Sequence, residues 1–273
     1  MPTVIRWIFP ILVLACAVTG RASEPLSSGR PPLLEAAFQS FLEGQQRWAY
    51  TETNSYSKAG GSPSPATIIR TDPSLPYAQQ STPLLINGQP PSENQLRDWA
   101  QRSEQQAQRR LKAVEALTVA ARDQGFRLRL LNREVRPLLE NAQVVTEDAV
   151  SVTYEIPLQE LGGPDAAQVD DHRLTARVNR ASRQFEHVTI RQTKMIRIAA
   201  GKYFDGLTEV EFATPDPQYP SVPARLTSTM TNKPLFGPAH TGTRQAERKD
   251  FKRVTPYDER FNVKLAPLNL LEF

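Results

Sequence analysis

The chain has almost no cysteine and very little histidine, and both shortages restrict its chemistry. Cys16 is the only cysteine among 273 residues, and it lies in an apolar N-terminal run. The part of the chain that folds therefore has no disulfide, no thiolate metal site and no cysteine nucleophile. His172, His187 and His240 are its only imidazoles for acid–base catalysis or metal binding.

Motifs of the common enzyme classes are also missing. The chain has no Gly-x-Ser-x-Gly elbow, no phosphate-binding glycine loop, no His-Glu-x-x-His helix and no dinucleotide fingerprint. Asp170, Asp171 and His172 offer oxygen and imidazole donors for zinc or manganese, but adjacent residues rarely converge on one ion, so a solvated strand start is favoured. His187 alternates with Thr189, as on the polar face of a strand. We therefore expect a protein that is not an enzyme and uses no cofactor.

Residues 1–22 have the features of an export signal. Trp7 to Val18 is an apolar run, and Gly20 and Ala22 are small residues at the usual positions before a cleavage site. Residues 13–16, Val-Leu-Ala-Cys, resemble a bacterial lipobox, so lipidation of Cys16 is a second route to the mature protein. A retained N-terminal anchor is the third. We predict a periplasmic protein, cleaved after Ala22 or anchored through a lipid on Cys16.

The balance of charge argues against nucleic acid as a partner. The formal net charge is +4, and removal of Arg6 and Arg21 with the signal lowers it to +2. Positive charge is concentrated between Arg97 and Arg136, where ten lysines and arginines face five acidic residues. Such a segment suits a membrane surface or an acidic partner, and it equally suits the solvated side of a helix.

One short stretch carries the clearest local signals for structure. Residues 82–86 form a β run, and Asn87-Gly88 after it favours a tight turn. Ser92 and Gln95 then form a capping box, which predicts the start of a helix. A strand therefore leads directly into a helix at this point.

Two helices are expected. The longer runs from Ser92 as far as Gln124, with a break near Gln106, and its apolar stripe is predicted to lie across a sheet. The shorter begins at Pro31-Pro32 and ends at Gly44, with apolar residues at helical spacing.

The rest of the folded chain shows the period-two alternation of β-strands. A hairpin is predicted from 48–56 and 67–70, and a helical turn at 135–139. Val150, Val152 and Tyr154 share one apolar face, whereas Phe185 and Val188 have opposite parity, which predicts a β-bulge between them. Further strands are predicted at 126–130, 174–178, 195–199, 207–213, 225–231 and 251–254. Alternation of this kind is typical of an antiparallel sheet with one buried face.

The order of these features resembles a group of exported bacterial proteins similar in architecture to the periplasmic lipoprotein carriers of outer-membrane sorting. The features are the short helix, the hairpin with Trp48 and Tyr50, the 72–74 Asp-Pro-Ser, the turn before Ser92, the Arg/Gln-rich helix and the closing strands. The resemblance covers about 47–254. It implies an α+β fold in which a strongly curved antiparallel half-barrel carries both helices on one face and can hold acyl chains.

Four segments follow from these observations. Residues 1–22 are the signal peptide, 23–30 a linker, 31–257 a single α+β half-barrel domain and 258–273 a C-terminal tail. The expected function is a non-enzymatic cell-envelope protein that binds a lipid, another apolar ligand or a lipoprotein on the concave face. The alternative is an envelope scaffold whose core is filled by its own side chains. A hydrolase would need converging acid and base groups, which the sequence does not offer.

The candidate ligand-binding residues are apolar and aromatic side chains of the predicted sheet and of the helix above it. They are Trp48, Tyr50, Ile86, Trp99, Val152 and Tyr154. No catalytic or metal-binding residue is assigned.

N-terminal sequencing of the protein recovered from the cell envelope tests the first of these expectations. A mature chain that begins at Ser23 indicates ordinary cleavage, and a modified Cys16 indicates lipidation. Recovery of an intact Met1 would contradict both.

Overall fold

The computed structural model describes residues 29–44, 47–120, 127–130, 133–161, 168–199, 202–234, 236–257 and 270–272. These residues form two α-helices, α1 (Pro32–Gly44) and α2 (Glu93–Ala120), with 3-10 helices at Tyr77–Gln79 and Leu139–Asn141. The strands are β1 (Trp48–Lys58), β2 (Thr67–Thr71), β3 (Ser81–Leu85), β4 (Arg127–Leu130), β5 (Arg133–Pro137), β6 (Gln143–Glu147), β7 (Ser151–Glu160), β8 (Gln168–Asn179), β9 (Phe185–Gln192), β10 (Ile196–Ala199), β11 (Lys202–Ala213), β12 (Val222–Pro234), β13 (His240–Arg253) and β14 (Leu270–Glu272).

All fourteen of these strands belong to one sheet. Its order is β14-β4-β5-β7-β8-β9-β11-β12-β13-β1-β2-β3, with β6 paired to β7 and β10 paired to β11. The β14–β4 pair is parallel and the other pairs are antiparallel. The sheet is not closed, because β14 and β3 lie at opposite ends of this order. The predicted α+β class with one large antiparallel sheet is confirmed.

Local sequence signals identified several elements correctly. Asn87 and Gly88 adopt positive φ values of 53° and 77°, as the tight turn after β3 requires. The capping box forms, because Ser92 N donates to Gln95 Oε1 at 2.8 Å and Gln95 N donates to Ser92 Oγ at 3.4 Å. The hairpin of β1 and β2 and the helix ending at Gly44 are also confirmed.

The core lies between α1 and the apolar face of β7, β8 and β9. Phe38 meets Phe185 edge-on with ring centroids 5.0 Å apart, and Phe41 contacts both Phe185 and Phe212. Beneath these rings lie buried aliphatic side chains from the three strands, namely Ile156, Leu158, Leu174, Ala176, Val178 and Ile190. We call this side of the sheet the inner face.

The predicted bulge in β9 is confirmed. The register with β8 shifts so that Val178 is opposite Phe185 while Arg177 is opposite His187, which leaves Glu186 as the extra residue. This shift returns Val188 and Ile190 to the same side as Phe185. The expectation for Val150 was wrong: it lies in the turn before β7 with 58% of its surface exposed, and the buried face begins at Val152.

The expected position of the long helix was only partly right. α2 runs without a break past Gln106, and it contacts the 3-10 helix at 77–79 and the edge strand β3. Among the described side chains, none of α2 joins the core cluster, which α1 covers instead. Leu96 and Leu111 of its stripe remain more than two-fifths exposed, whereas Ser103 and Ala107 are buried. The predicted end at Gln124 lies outside the described residues.

Other predicted boundaries also changed. The helical turn predicted at 135–139 was misplaced, because 135–137 belong to β5 and a 3-10 helix begins only at Leu139. The C-terminal segment 258–273 contributes β14, so part of the predicted tail joins the sheet. β6 and the first half of β13 were not predicted, because their sequences are polar or fully exposed and show no apolar alternation.

Truncation of Leu34 should reveal which helix covers the core. Leu34 is fully buried in α1, so Leu34→Ala should lower the free energy of unfolding by about 2–5 kcal/mol. Leu96→Ala, the matched change on the exposed side of α2, should cost less than about 1 kcal/mol. Urea titration measures both, and equal losses would show that α2 shares in covering the core.

Candidate functional site

An uninterrupted set of aromatic and charged side chains occupies the inner face at β1 and β13. One row of paired residues shows that this is the same face as the core. The row consists of Tyr154, Ala176, Val188, Val210, Leu226, Ala246 and Asn54. We name the set the arginine ladder; it consists of Trp48, Tyr50, Glu52, Asn54, Arg244, Arg248, Phe251 and Arg253.

Rings and guanidinium groups stack at one end of the arginine ladder. Arg253 lies 3.8 Å from the ring centre of Tyr219 and 5.4 Å from that of Trp48. The Phe251 ring contacts both Trp48 and Tyr50, at centroid distances of 6.2 and 5.9 Å. Such cation–π and edge-on contacts stabilise a partly dehydrated surface.

A bulge in β13 makes this stacking possible. Asp250 adopts a positive φ of 53°, and the register between β1 and β13 shifts between Ala49 and Thr51. The extra residue turns Phe251 onto the same side as Arg248, although the two are three positions apart. Arg248 and Phe251 therefore both contact the ring of Tyr50, with the Arg248 guanidinium 4.6 Å from its centre.

Glu52 and Arg248 form a nearly buried ion pair at the centre of the arginine ladder. They face each other across the β1–β13 pairing, and Arg248 Nε donates to Glu52 Oε2 at 2.8 Å. Asn54 Nδ2 donates to the other carboxylate oxygen at 2.8 Å, and Arg244 Nη2 donates to Asn54 Oδ1 at 3.1 Å. The exposed fractions of the Glu52 and Arg248 side chains are only 10% and 13%.

The surroundings of Glu52 keep it ionised. Burial by itself would raise the pKa of this carboxyl group, but the charge of Arg248 and the hydrogen bonds from Asn54 and Arg248 outweigh it, so the pKa lies below its ordinary value. Burial dominates at Tyr50 and raises the pKa of its phenol. Burial also lowers the pKa of Arg244, although the nearby charge of Glu52 opposes the change.

The arginine ladder carries more positive than negative charge. Its three guanidinium groups, on Arg244, Arg248 and Arg253, accompany a single carboxylate, on Glu52. Arg248 is held by that carboxylate, whereas Arg244 is half-buried beside an amide. Guanidinium groups are charged donors that bind carboxylates and phosphates, so this part of the inner face is suited to an anion.

A partly exposed strip of β12 lies between the arginine ladder and the core. Leu226, Ser228 and Met230 point to the inner face, because Leu226 is paired with Val210 and Ala246, and Ser228 with Arg244. All three are half-buried. The strip therefore offers partly apolar surface on the strand next to Arg244 and on the same face of the sheet.

The structure does not bring the six predicted ligand-binding residues together. Trp48 and Tyr50 belong to the arginine ladder, whereas Val152 and Tyr154 are buried in the core beneath α1. Five strands separate β1 from β7, a distance of about 29 Å at the usual strand spacing. Shared parity places residues on one face, but it does not bring them close together.

Ile86 and Trp99 occupy a third location, at the corner of β3 and α2. Ile86 closes the turn after β3 through hydrogen bonds with Gln89, and it is half-buried. Trp99 Nε1 donates to the backbone carbonyl of Ser81 at 3.0 Å. This hydrogen bond fixes α2 to the edge strand, so Trp99 has a structural role here.

Sequence reasoning missed Glu52, Arg244 and Arg248. The sequence did contain one signal for Arg244 and Arg248: they are four positions apart on a strand, which puts both side chains on one face. The pairing of Arg248 with Glu52 depends on a register between segments almost 200 residues apart, which no local pattern contains.

The polar clusters identified from the sequence have local partners. His172 Nδ1 lies 2.8 Å from Asp171 Oδ1, and Asp170 forms an ion pair with Lys194 that lowers the pKa of its carboxyl group. His187 Nε2 lies 2.9 Å from Thr189 Oγ1, as expected for a polar-face residue. Within the described ranges, no group of three or more His, Cys, Asp or Glu side chains is arranged to hold a metal ion.

A small recess lies where β9 and β10 separate along β11. It has a volume of about 280 Å³ and is lined by Arg191, Gln192, Asp205, Gly206, Leu207, Thr229 and Thr231. The Gln192 amide spans the gap, because its Nε2 donates to the carbonyls of Lys194 and Phe204. The polar lining does not match the apolar cavity expected for an acyl chain.

The Glu52–Arg248 pair gives a test of the arginine ladder by double substitution. Glu52→Leu or Arg248→Met alone should each lower the free energy of unfolding by about 3–5 kcal/mol, because each leaves one buried charge unpaired. The double variant should be more stable than either single one. Urea unfolding of all four proteins measures the coupling, and additive losses would contradict it.

The same pair predicts a pH dependence. A lowered pKa in the folded state means that Glu52 stabilises the protein above its ordinary pKa of 4.5, and that this contribution is lost as the pH falls through the folded-state value. Glu52→Gln should therefore flatten the acid side of the stability profile. Glu211→Gln, which removes an exposed carboxylate on the outer face, is the control and should change the profile little.

None of the α-helices in the described part of the chain is long and apolar enough to cross a membrane. A comparison of the chain with known protein families, with curated proteins and with solved structures finds no match. The resemblance to lipoprotein carriers therefore stays a prediction.

Proposed function

We propose that the protein is an exported, non-enzymatic protein of the cell envelope that binds an amphipathic anion on the inner face of its sheet. The observation that supports this most directly is the position of Arg244 beside the half-buried strip of Leu226, Ser228 and Met230. A fatty acid or another acyl chain with an anionic group has the matching combination of charge and apolar surface.

Arg244 is the cation proposed to meet the ligand. It is paired across β12 with Ser228 and half-buried, whereas Arg248 is almost covered and already holds Glu52. The hydrogen bond from Arg244 to Asn54, together with the Asn54–Glu52 bond, fixes the guanidinium in place before a ligand arrives. Fixed donors bind with a smaller loss of conformational freedom than mobile ones.

The curvature of the sheet is the second part of the proposal. The path of the sheet contains twelve strands, and neighbouring strands in antiparallel sheets are normally rotated by roughly 20–25°. The bulges in β9 and β13 bend these strands in addition to the twist, and we propose that both together curve the sheet around the inner face, as the predicted half-barrel requires. A concave inner face would let the apolar strip surround an acyl chain, and a lipoprotein would present the same chemistry.

A scaffold function is the second candidate, and one observation favours it. Val152 and Tyr154, two of the predicted lining residues, fill the core beneath α1 instead of bordering a cavity. If the strip on β12 were covered in the same way in the native envelope, the protein would act through its surface alone. The proposed location is the periplasm in either case, with the N-terminus at Ser23 or at a lipidated Cys16.

Thermal unfolding with added palmitate tests the ligand proposal. Palmitate should raise the melting temperature of the mature protein by mass action, and uncharged hexadecanol should raise it less because it lacks the carboxylate. Arg244→Gln should weaken palmitate binding about tenfold, since it removes a charge-assisted hydrogen bond. Arg225→Gln is the matched control, because Arg225 pairs with Glu211 and Glu247 on the outer face.

The two candidate functions predict different results. Loss of the palmitate effect in Arg244→Gln alone supports the inner-face site. An equal response of both variants places the ligand elsewhere, and no response of the unmodified protein to palmitate favours the scaffold. Native mass spectrometry of protein purified from the envelope shows independently whether a lipid copurifies.

A further inference from the structure

The turn between β12 and β13 exposes a large aromatic side chain. Phe236 has 87% of its surface exposed, the highest value among the large hydrophobic residues that the structure describes. It follows the last residue of β12, Pro234, by two positions, and Gly237 after it has a φ of 114°. The Phe236 side chain therefore contributes nothing to the core and presents an exposed ring at this end of the sheet.

Basic residues surround this turn. Lys233 at the end of β12 and Arg197 of β10 are both exposed, and the backbone of Lys202 lies opposite Pro234. In the sequence, 195–204 and 232–240 contain no aspartate or glutamate, and the carboxylate that follows them along β11, Asp205, lies three pairs away from the end of β12, opposite Thr231.

An apolar projection within a basic rim matches the surface of an anionic bilayer. The aromatic ring can enter the boundary between head groups and acyl chains, while lysine and arginine stay at the level of the phosphates. A protein partner would need a broader complementary surface, since stable protein interfaces bury about 800 Å² on each side. One exposed ring with flanking cations does not provide that area.

We propose that the β12–β13 turn, centred on Phe236, docks the protein on an anionic lipid surface. This site is separate from the ligand site proposed on the inner face and does not depend on it. It also differs from the basic segment of α2, whose Arg97 and Arg102 are exposed and hydrogen-bonded within their own helix.

Flotation with lipid vesicles tests the proposal. The protein begins at Ser23, so that neither the apolar N-terminal run nor a lipid on Cys16 can contribute, and vesicles of phosphatidylcholine with about 30% phosphatidylglycerol supply the anionic surface. The protein should float with these vesicles, bind phosphatidylcholine alone at least about tenfold more weakly, and detach as the salt concentration rises. Phe236→Ala should weaken binding about tenfold, and Phe236→Trp should retain it.

Matched controls locate the effect. Val150→Ala changes another exposed apolar residue, 58% exposed and at the opposite end of the strands, and should bind as the parent protein does. Lys233→Glu should weaken binding, whereas Lys252→Glu, near the far end of β13, should not. Arg102→Glu tests the α2 face and should have little effect.

Three outcomes would overturn the proposal. The first is failure of the parent protein to float with anionic vesicles, even if a protein partner captures it. The second is equal binding by Phe236→Ala and the parent. The third is loss of binding in Arg102→Glu but not in Lys233→Glu, which would assign the membrane contact to α2. Thermal unfolding of each variant shows whether it is folded, and Phe236→Trp separates loss of the ring from a general disturbance of the turn.

Discussion

The contact between α1 and the apolar face of β7, β8 and β9 is the interaction on which the rest of the structure depends. A helix of thirteen residues is about 20 Å long, whereas the twelve strands along the sheet extend over about 50 Å. One short helix can therefore bury only part of the inner face. On the rest of that face, apolar groups must be covered and polar groups hydrogen-bonded by other side chains or by a ligand.

The arginine ladder satisfies the part of the inner face nearest β1 and β13. Glu52 is paired with Arg248 and hydrogen-bonded to Asn54, and the ring of Tyr50 lies against the Arg248 guanidinium group, so Glu52 and Arg248 can remain nearly buried. The strip on β12 lies between this polar region and the aliphatic core. A boundary of that kind, apolar on one side and cationic on the other, is where an amphipathic anion gains from both surfaces.

Signals that depend on a few neighbouring residues were sufficient to predict local structure. The capping box at Ser92, the Asn87-Gly88 turn and the bulge in β9 follow from short patterns, and each is present. Contacts between distant segments were not predictable in this way. The sequence of β13 does not show a strand pattern because three of its inner-face residues, Arg244, Arg248 and Arg253, are arginines. Arg248 is buried there because it pairs with Glu52 of β1.

The candidate site shows the same limit. Trp48 and Tyr50 were recognised as inner-face residues, but Val152 and Tyr154 were assigned to the same surface because parity contains no information about the number of intervening strands.

The central claim is that an amphipathic anion binds on the inner face of the sheet. Paramagnetic relaxation from monomeric spin-labelled stearate tests it most directly. The chain has only three methionines, Met1, Met195 and Met230, so few methyl signals need to be assigned. The ligand site on the inner face predicts that the Met230 methyl signal broadens in the parent protein and in Arg225→Gln, and that it stays sharp in Arg244→Gln. No broadening in the parent protein, or equal broadening in both variants, would contradict it.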